Sequence, residues 1–224
     1  YDRPERNKRS KVGGVNLSPI HVYTRVFLCA MNNSIASMSE EENEEQQQHC
    51  FVSLGYNCDP RIHMAHNLNI TRDAGYRSCP FDLCITPFQG LCECIETDFA
   101  YFFHELMLTP GPNADGDRSR CGNGGLNIIN RYGMIFNHES PTHSHMFCGG
   151  KNDDLFYIRN NFEEFKKRYQ QRIDNYQRYL RTCRRITFLY KPPPTGEWDM
   201  DVLEPLFREK YRDQDTQIEF ARID

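Results

Sequence analysis

His49-Cys50-Phe51-Val52-Ser53-Leu54-Gly55-Tyr56-Asn57-Cys58-Asp59-Pro60 is the stretch that decides the fold. A short apolar run is followed by a glycine, a cysteine and then a proline at the first helical position, which reads as strand, turn, helix. That layout sets the Cys58 thiol at a helix N-terminus, where unpaired backbone N–H groups and the helix dipole favour thiolate over thiol. Thiolate is the nucleophilic form. The alternative is that Cys58 is one more small buried residue, because most cysteines are buried and inert.

Downstream, the pattern alternates. Residues Pro60 to Leu68 read as a helix, Asp73 to Pro80 as a loop leading into Phe81–Thr86, and Phe88 to His104 as a helix. In the last of these, Leu91, Ile95, Phe99, Phe102 and Phe103 recur at helical spacing. Thr109 to Gly125 is crowded with glycine and proline and reads as a long loop. A short strand, Gly133 to Phe136, follows. Leu155 to Thr182 is a long amphipathic helix or a helix pair, its buried stripe marked by Phe162, Phe165, Tyr169, Ile173, Tyr176 and Leu180. Arg185 to Tyr190 is a strand stopped by Pro192-Pro193-Pro194, Val202 to Tyr211 a helix, and Thr216 to Ala221 a final strand. Strands alternating with helices imply an α/β three-layer domain with a mostly parallel central sheet.

Upstream, residues 1–48 read as an N-terminal tail and linker. The tail is basic, and Ser39 to Gln48 is a self-repelling run of Glu and Gln that reads as disordered. The α/β domain is therefore expected over 49–224. A net charge of −4 among 224 residues, 26% of them charged, argues against a general nucleic-acid binder. No apolar run approaches the roughly 18–20 residues of a membrane span. The ten cysteines show no paired CxxC spacing, which excludes a zinc ribbon and favours mostly reduced thiols in an intracellular protein. The sequons at Asn16, Asn32 and Asn69 keep a secreted alternative open.

In parallel sheets the working residues sit on loops beyond the carboxyl ends of the strands. Cys58 follows the first strand, Asp82 lies in Pro80-Phe81-Asp82, and His138 follows the Gly133–Phe136 strand. A thiol nucleophile needs a base within hydrogen-bond reach and a third group to orient it, roles that Cys58, His138 and Asp82 can fill in that order. Taken singly, Asp82 also reads as a turn cap and His138 as a surface residue. Backbone N–H groups at the start of the Pro60 helix, with Asn57, are the candidate oxyanion donors. His138, His143, His145 and Cys148 are zinc-ligand types, but their spacing fits no known zinc motif; a His-rich loop is the simpler reading, and no metal or cofactor is assigned. The basic helix offers Arg168 and Arg172 as candidate anion-binding residues, against the simpler reading of a solvated face. That option opens a competing class, a transferase using a nucleotide-sugar donor. Against it, no phosphate-cradling glycine motif is present, and Asp199-Met200-Asp201 reads as loop. A non-catalytic binding protein is the third class; the peptide or small-molecule substrate and the oligomeric state are unread.

The Ser53-Leu54-Gly55-Tyr56-Asn57-Cys58 run, Pro80-Phe81-Asp82 with Thr86-Pro87, Phe136-Asn137-His138-Glu139, Phe165-Lys166-Lys167-Arg168-Tyr169 with Arg172-Ile173, and Ile186-Thr187-Phe188-Leu189 resemble a family described as putative papain-like cysteine peptidases, DUF1796. The resemblance spans about residues 50 to 191. It implies Cys58 as nucleophile and His138 as base, with Asp82 as a candidate orienting acid. The chain order Cys, Asp, His departs from the Cys, His, Asn order of papain-like enzymes, so a second role for Asp82, holding the nucleophile turn, stays open.

Overall fold

The structure, a computed structural model, describes residues 49–110, 126–139, 156–194 and 198–223. The tail and acidic linker, most of the glycine-rich loop, and His143, His145 and Cys148 lie outside the described residues.

Strand β1 (His49–Gly55) runs into helix α1 (Asp59–Asn67), as the opening stretch requires. Helix α2 (Phe88–Glu96) and strands β2 (Met107–Pro110), β3 (Leu126–Ile129) and β4 (Ile135–Phe136) follow, with a 3-10 turn at Asn137–Glu139. Next come α3 (Phe156–Arg159), α4 (Glu163–Thr182), β5 (Arg185–Lys191), α5 (Met200–Lys210) and β6 (Gln217–Arg222). Strands β1, β5 and β6 form a parallel sheet in that order, in a register that sets Val52 beside Phe188 and Phe188 beside Phe220.

The period of two along these strands sorts the core. Val52, Leu54, Ile186, Phe188 and Ile218 join one apolar cluster with Tyr176 and Leu180 of α4 and with Leu203 and Phe207 of α5. Phe51, Leu189 and Ala221 point the other way, into a second cluster with Met64 of α1 and Tyr76. Helices thus pack on both faces of a parallel sheet, the arrangement that buries such strands on two sides. Each fully buried large side chain stabilises this packing by about 1.5–3 kcal/mol.

Several elements differ from their expected form. The helix expected to reach His104 ends at Glu96, because Asp98 and Phe99 take left-handed φ values of 51° and 62°. The Tyr132 hydroxyl holds the turns that follow, at 2.6 Å from Thr97 Oγ1 and accepting from Tyr101 N–H at 3.0 Å. Phe99 and Phe102 therefore reach the core without a helix. Of the two forms left open for Leu155 to Thr182, the helix pair is observed, broken where Asn161 and Phe162 are left-handed. Met107–Pro110 is a strand where a loop was expected from Thr109; it pairs antiparallel with β3, which pairs with β4. Asp199 is the N-cap of α5 and Asp201 lies in its first turn, so this segment is a helix start and not a loop.

A disulfide, Cys50–Cys183, ties β1 to the residue that ends α4, with Cα atoms 6.1 Å apart. Cys58, Cys79, Cys84, Cys92 and Cys94 are thiols. No helix among the described residues is long and apolar enough to cross a membrane.

Candidate active site

The turn between β1 and α1 is shaped by two residues. A side chain at Gly55 would collide with the Asn57 carbonyl oxygen and lie 2.7 Å from the Pro60 ring, so only glycine lets the chain double back here. Pro60, in the first turn of α1, has a fixed φ suited to helix and lacks the N–H that would otherwise go unpaired there. The Asn57 side-chain oxygen accepts the Asp59 N–H at 3.0 Å, closing an Asx turn around the cysteine. Cys58 is the N-cap residue itself, half-buried, and its carbonyl accepts the Ile62 N–H at 3.0 Å.

This turn stands at the carboxyl edge of the parallel sheet. Tyr56 N–H donates to the carbonyl of Lys191, the last residue of β5, at 3.0 Å, and Lys191 Nζ lies 3.0 Å from Asp59. Burial alone would raise the Asp59 pKa, but the Lys191 and Asn57 contacts outweigh it and hold the carboxyl below its ordinary value. The negative charge next to the thiol is thereby partly neutralised.

Asp82 is fully buried beneath the turn. Its Oδ1 accepts from Ser53 Oγ at 2.7 Å and from the Tyr76 hydroxyl at 2.8 Å, and its Oδ2 accepts the Cys79 N–H at 2.9 Å. Arg61 Nε lies 3.9 Å from Oδ2, with its guanidinium over the Tyr76 ring and Nη1 donating to the Ile70 carbonyl at 2.9 Å. Burial raises the Asp82 pKa, and the Ser53, Cys79 and Tyr76 hydrogen bonds partly oppose it. Asp82 thus joins β1, α1 and the 76–82 loop. His138 is not among these partners. Sequence reasoning missed Ser53, Tyr76 and Arg61; Ser53 carried a signal, as a polar residue inside a buried strand.

His138, half-buried, lies in the 3-10 turn directly after β4. Backbone hydrogen bonds connect its segment to the cysteine turn. Thr86 N–H donates to the Tyr56 carbonyl at 3.2 Å, and Ile85 exchanges hydrogen bonds with Ile135 at 2.8 and 3.0 Å. The strip Ile85–Thr86 thus hydrogen-bonds to Tyr56, two residues before Cys58, and to Ile135, three residues before His138.

The next residue, Glu139, is buried and faces the basic helix. Arg168 Nη2 lies 2.8 Å from its Oε2 and Arg172 Nη2 3.9 Å from its Oε1. Arg168 and Arg172, the candidate anion-binding pair, thus meet a carboxylate of the protein, one residue from His138.

The remaining described thiols are set apart electrically. Burial pushes Cys79 and Cys94 well up, Cys84 to about 12 and Cys92 to about 11, so at neutral pH these four stay protonated. No group of three or more His, Cys, Asp or Glu side chains suited to a metal ion is found among the described residues.

A family model described as DUF1796, putative papain-like cysteine peptidase, matches residues 49–220, about three quarters of the chain. No curated protein and no solved structure matches it.

Proposed function

The chain belongs to this family of putative papain-like cysteine peptidases, and on that premise we propose that it is a cysteine hydrolase with Cys58 as nucleophile. The observation that supports this is the position of Cys58. Cys58 is the N-cap residue of a nine-residue helix at the carboxyl edge of a parallel sheet, where the helix dipole favours thiolate, while burial keeps the other four described thiols protonated.

In the proposed mechanism the thiolate adds to an acyl carbon, and the Asn57 amide, whose oxygen is engaged in the turn, offers its N–H to the oxyanion. Collapse of the adduct forms a thioester and expels the leaving group, which takes a proton from His138. His138 then removes a proton from water; hydroxide attacks the thioester, and the acid departs with the thiolate restored. Asp82 serves as a positioning residue: through Ser53 it fixes the end of β1, and through Arg61 the first turn of α1.

The test combines iodoacetamide labelling, read peptide by peptide, with turnover of activated acyl esters and fluorogenic peptide amides. Cys58 is expected to alkylate fastest, with an inflexion below the ordinary thiol value of about 8.5. Cys58→Ala is expected to abolish turnover, and His138→Ala to lower kcat by on the order of 10²–10⁴. Turnover that survives Cys58→Ala sinks the proposal.

A further inference from the structure

Arg168, Tyr169 and Arg172 present a buried cluster of donors that the fold does not satisfy. Among the described residues, Arg168 Nε, Arg172 Nη1 and the Tyr169 hydroxyl are each buried without a hydrogen-bond partner. Arg172 is 7% exposed and Tyr169 fully buried. Arg168 Nη2 approaches Glu139 at 2.8 Å but is not aligned for a hydrogen bond. Two guanidinium groups thus converge on one carboxylate. The Arg172 guanidinium also covers the Tyr169 ring, 4.4 Å from its centroid, which keeps the cluster together.

Desolvated guanidinium donors without partners are costly, and native proteins retain them where an ion, water or ligand completes the set. An oxyanion is the complementary partner: guanidinium N–H groups match its oxygens in geometry and charge, and a phenol adds a further donor.

The cluster lies on α4 and meets the His138 segment through Glu139. Glu139 follows His138 directly in the chain. The Cys84 sulfur is 3.2 Å from Thr86 Oγ1, and Thr86 N–H holds the Tyr56 carbonyl in the Cys58 turn. Burial is the main cause of the raised Cys84 pKa, with Arg172 opposing it and Cys58 adding to it.

We propose that Arg168, Tyr169 and Arg172 form an oxyanion subsite beside Cys58, so that the substrate carries a carboxylate or phosphate group close to the acyl carbon. This rests on the hydrolase reading above for its link to the thiol, but anion binding itself does not.

The experiment has two arms on the full chain. In the first, iodoacetate and iodoacetamide compare an anionic with a neutral alkylating agent at the Cys58 peptide, at fixed ionic strength. The subsite is expected to favour iodoacetate. Arg168→Gln is expected to lower the iodoacetate-to-iodoacetamide rate ratio on the order of tenfold, the worth of a charge-assisted hydrogen bond. Tyr169→Phe, which keeps the ring and removes only the hydroxyl, is expected to lower it about fivefold and serves if Arg168→Gln does not fold.

In the second arm, inorganic phosphate or acetate is titrated against wild type and Cys58→Ala while Tm is followed. Whichever anion raises Tm at the lower concentration identifies the oxyanion, and the shift is expected to persist in Cys58→Ala and to shrink in Tyr169→Phe. A rate ratio unmoved by either variant, with no Tm response to either anion, overturns the subsite. Poor labelling of Cys58 by both agents, with the Tm shift intact, overturns the hydrolase reading and leaves the anion site standing.

Discussion

Replacing Asp82 tests how the cysteine turn is held. Its carboxylate accepts three hydrogen bonds, of 2.7, 2.8 and 2.9 Å, at a site 1% exposed. Hydrogen bonds to a buried charged group contribute about 1.5–3 kcal/mol each, offset here by the burial that raises the Asp82 pKa. Asp82→Asn keeps an oxygen for Ser53 and Tyr76 but turns an amide toward the Cys79 N–H and Arg61, losing one bond and setting donor against donor. The expected loss is about 2–4 kcal/mol, and about 4–5 for Asp82→Ala, which strands all three donors. Both are large fractions of the ~5–15 kcal/mol that holds a domain together. Ser53→Ala and Tyr76→Phe should each cost about 1 kcal/mol.

Urea unfolding followed by fluorescence of Trp198, the single tryptophan, measures these losses, and iodoacetamide labelling of Cys58 measures the turn. The pH dependence adds a signature. Because the folded-state pKa of Asp82 is raised, ionising it costs more in the folded chain than in the unfolded one. Its contribution is greatest below the unfolded value of about 4 and falls as pH climbs through the folded value, a slope that Asp82→Asn removes. An Asp82→Asn protein within 0.5 kcal/mol of wild type (roughly the spread of neutral surface changes), with Cys58 labelling unchanged, refutes the buttress.

Two further outcomes follow from the fold. The Cys50–Cys183 bond links residues 133 apart in sequence, for which chain entropy gives at most roughly 4–5 kcal/mol; dithiothreitol should lower Tm in wild type and not in a Cys50→Ala/Cys183→Ala double variant. His49, which contacts Thr187 Oγ1 at 2.8 Å, has a pKa lowered by burial and then by Arg185, and burial lowers that of His63 as well. The unfolded chain takes up these protons more readily, so the stabilisation is full above about pH 6.5 and is lost as pH falls toward the folded values. His49→Gln should flatten that part of a stability–pH curve measured by urea titration.

The parallel sheet was legible because its strands announce themselves locally. Phe51 to Leu54 and Ile186 to Leu189 are short apolar runs closed by glycine or by prolines, although the register that pairs Val52 with Phe188 is set only by the fold. Elements that depend on distant partners were not legible. Met107–Pro110 becomes a strand only because Leu126–Ile129 lies beside it, and helix α2 stops at Glu96 where turns held by Tyr132 take over. Periodicity continues through Phe99 and Phe102, so spacing alone carries the helix too far. The disulfide escaped for a related reason: Cys50 and Cys183 become neighbours only once β1 and β5 pair in parallel.

The candidate site divides along the same line, and that division bears on what each residue can do. Cys58 is specified by its own turn: Gly55, Asn57 and Pro60 are all within three residues of it, and its helix-terminal position follows from them. Asp82 and Glu139 are specified by contacts that reach across the chain, to Ser53 and Arg61 in one case and to Arg168 and Arg172 in the other. The Asp82 oxygens are already taken up by Ser53, Tyr76 and the Cys79 N–H, and those of Glu139 face Arg168 and Arg172, so each carboxylate is tied to structural partners. This favours Asp82 as scaffold, and Glu139 as the carboxylate that draws two arginines toward the His138 turn. It also makes the cluster separable by mutation. Changes at Asp82 should lower stability and Cys58 labelling together, whereas Arg168→Gln should alter selectivity among alkylating agents with a smaller loss of stability, Arg168 being the more exposed of the two arginines.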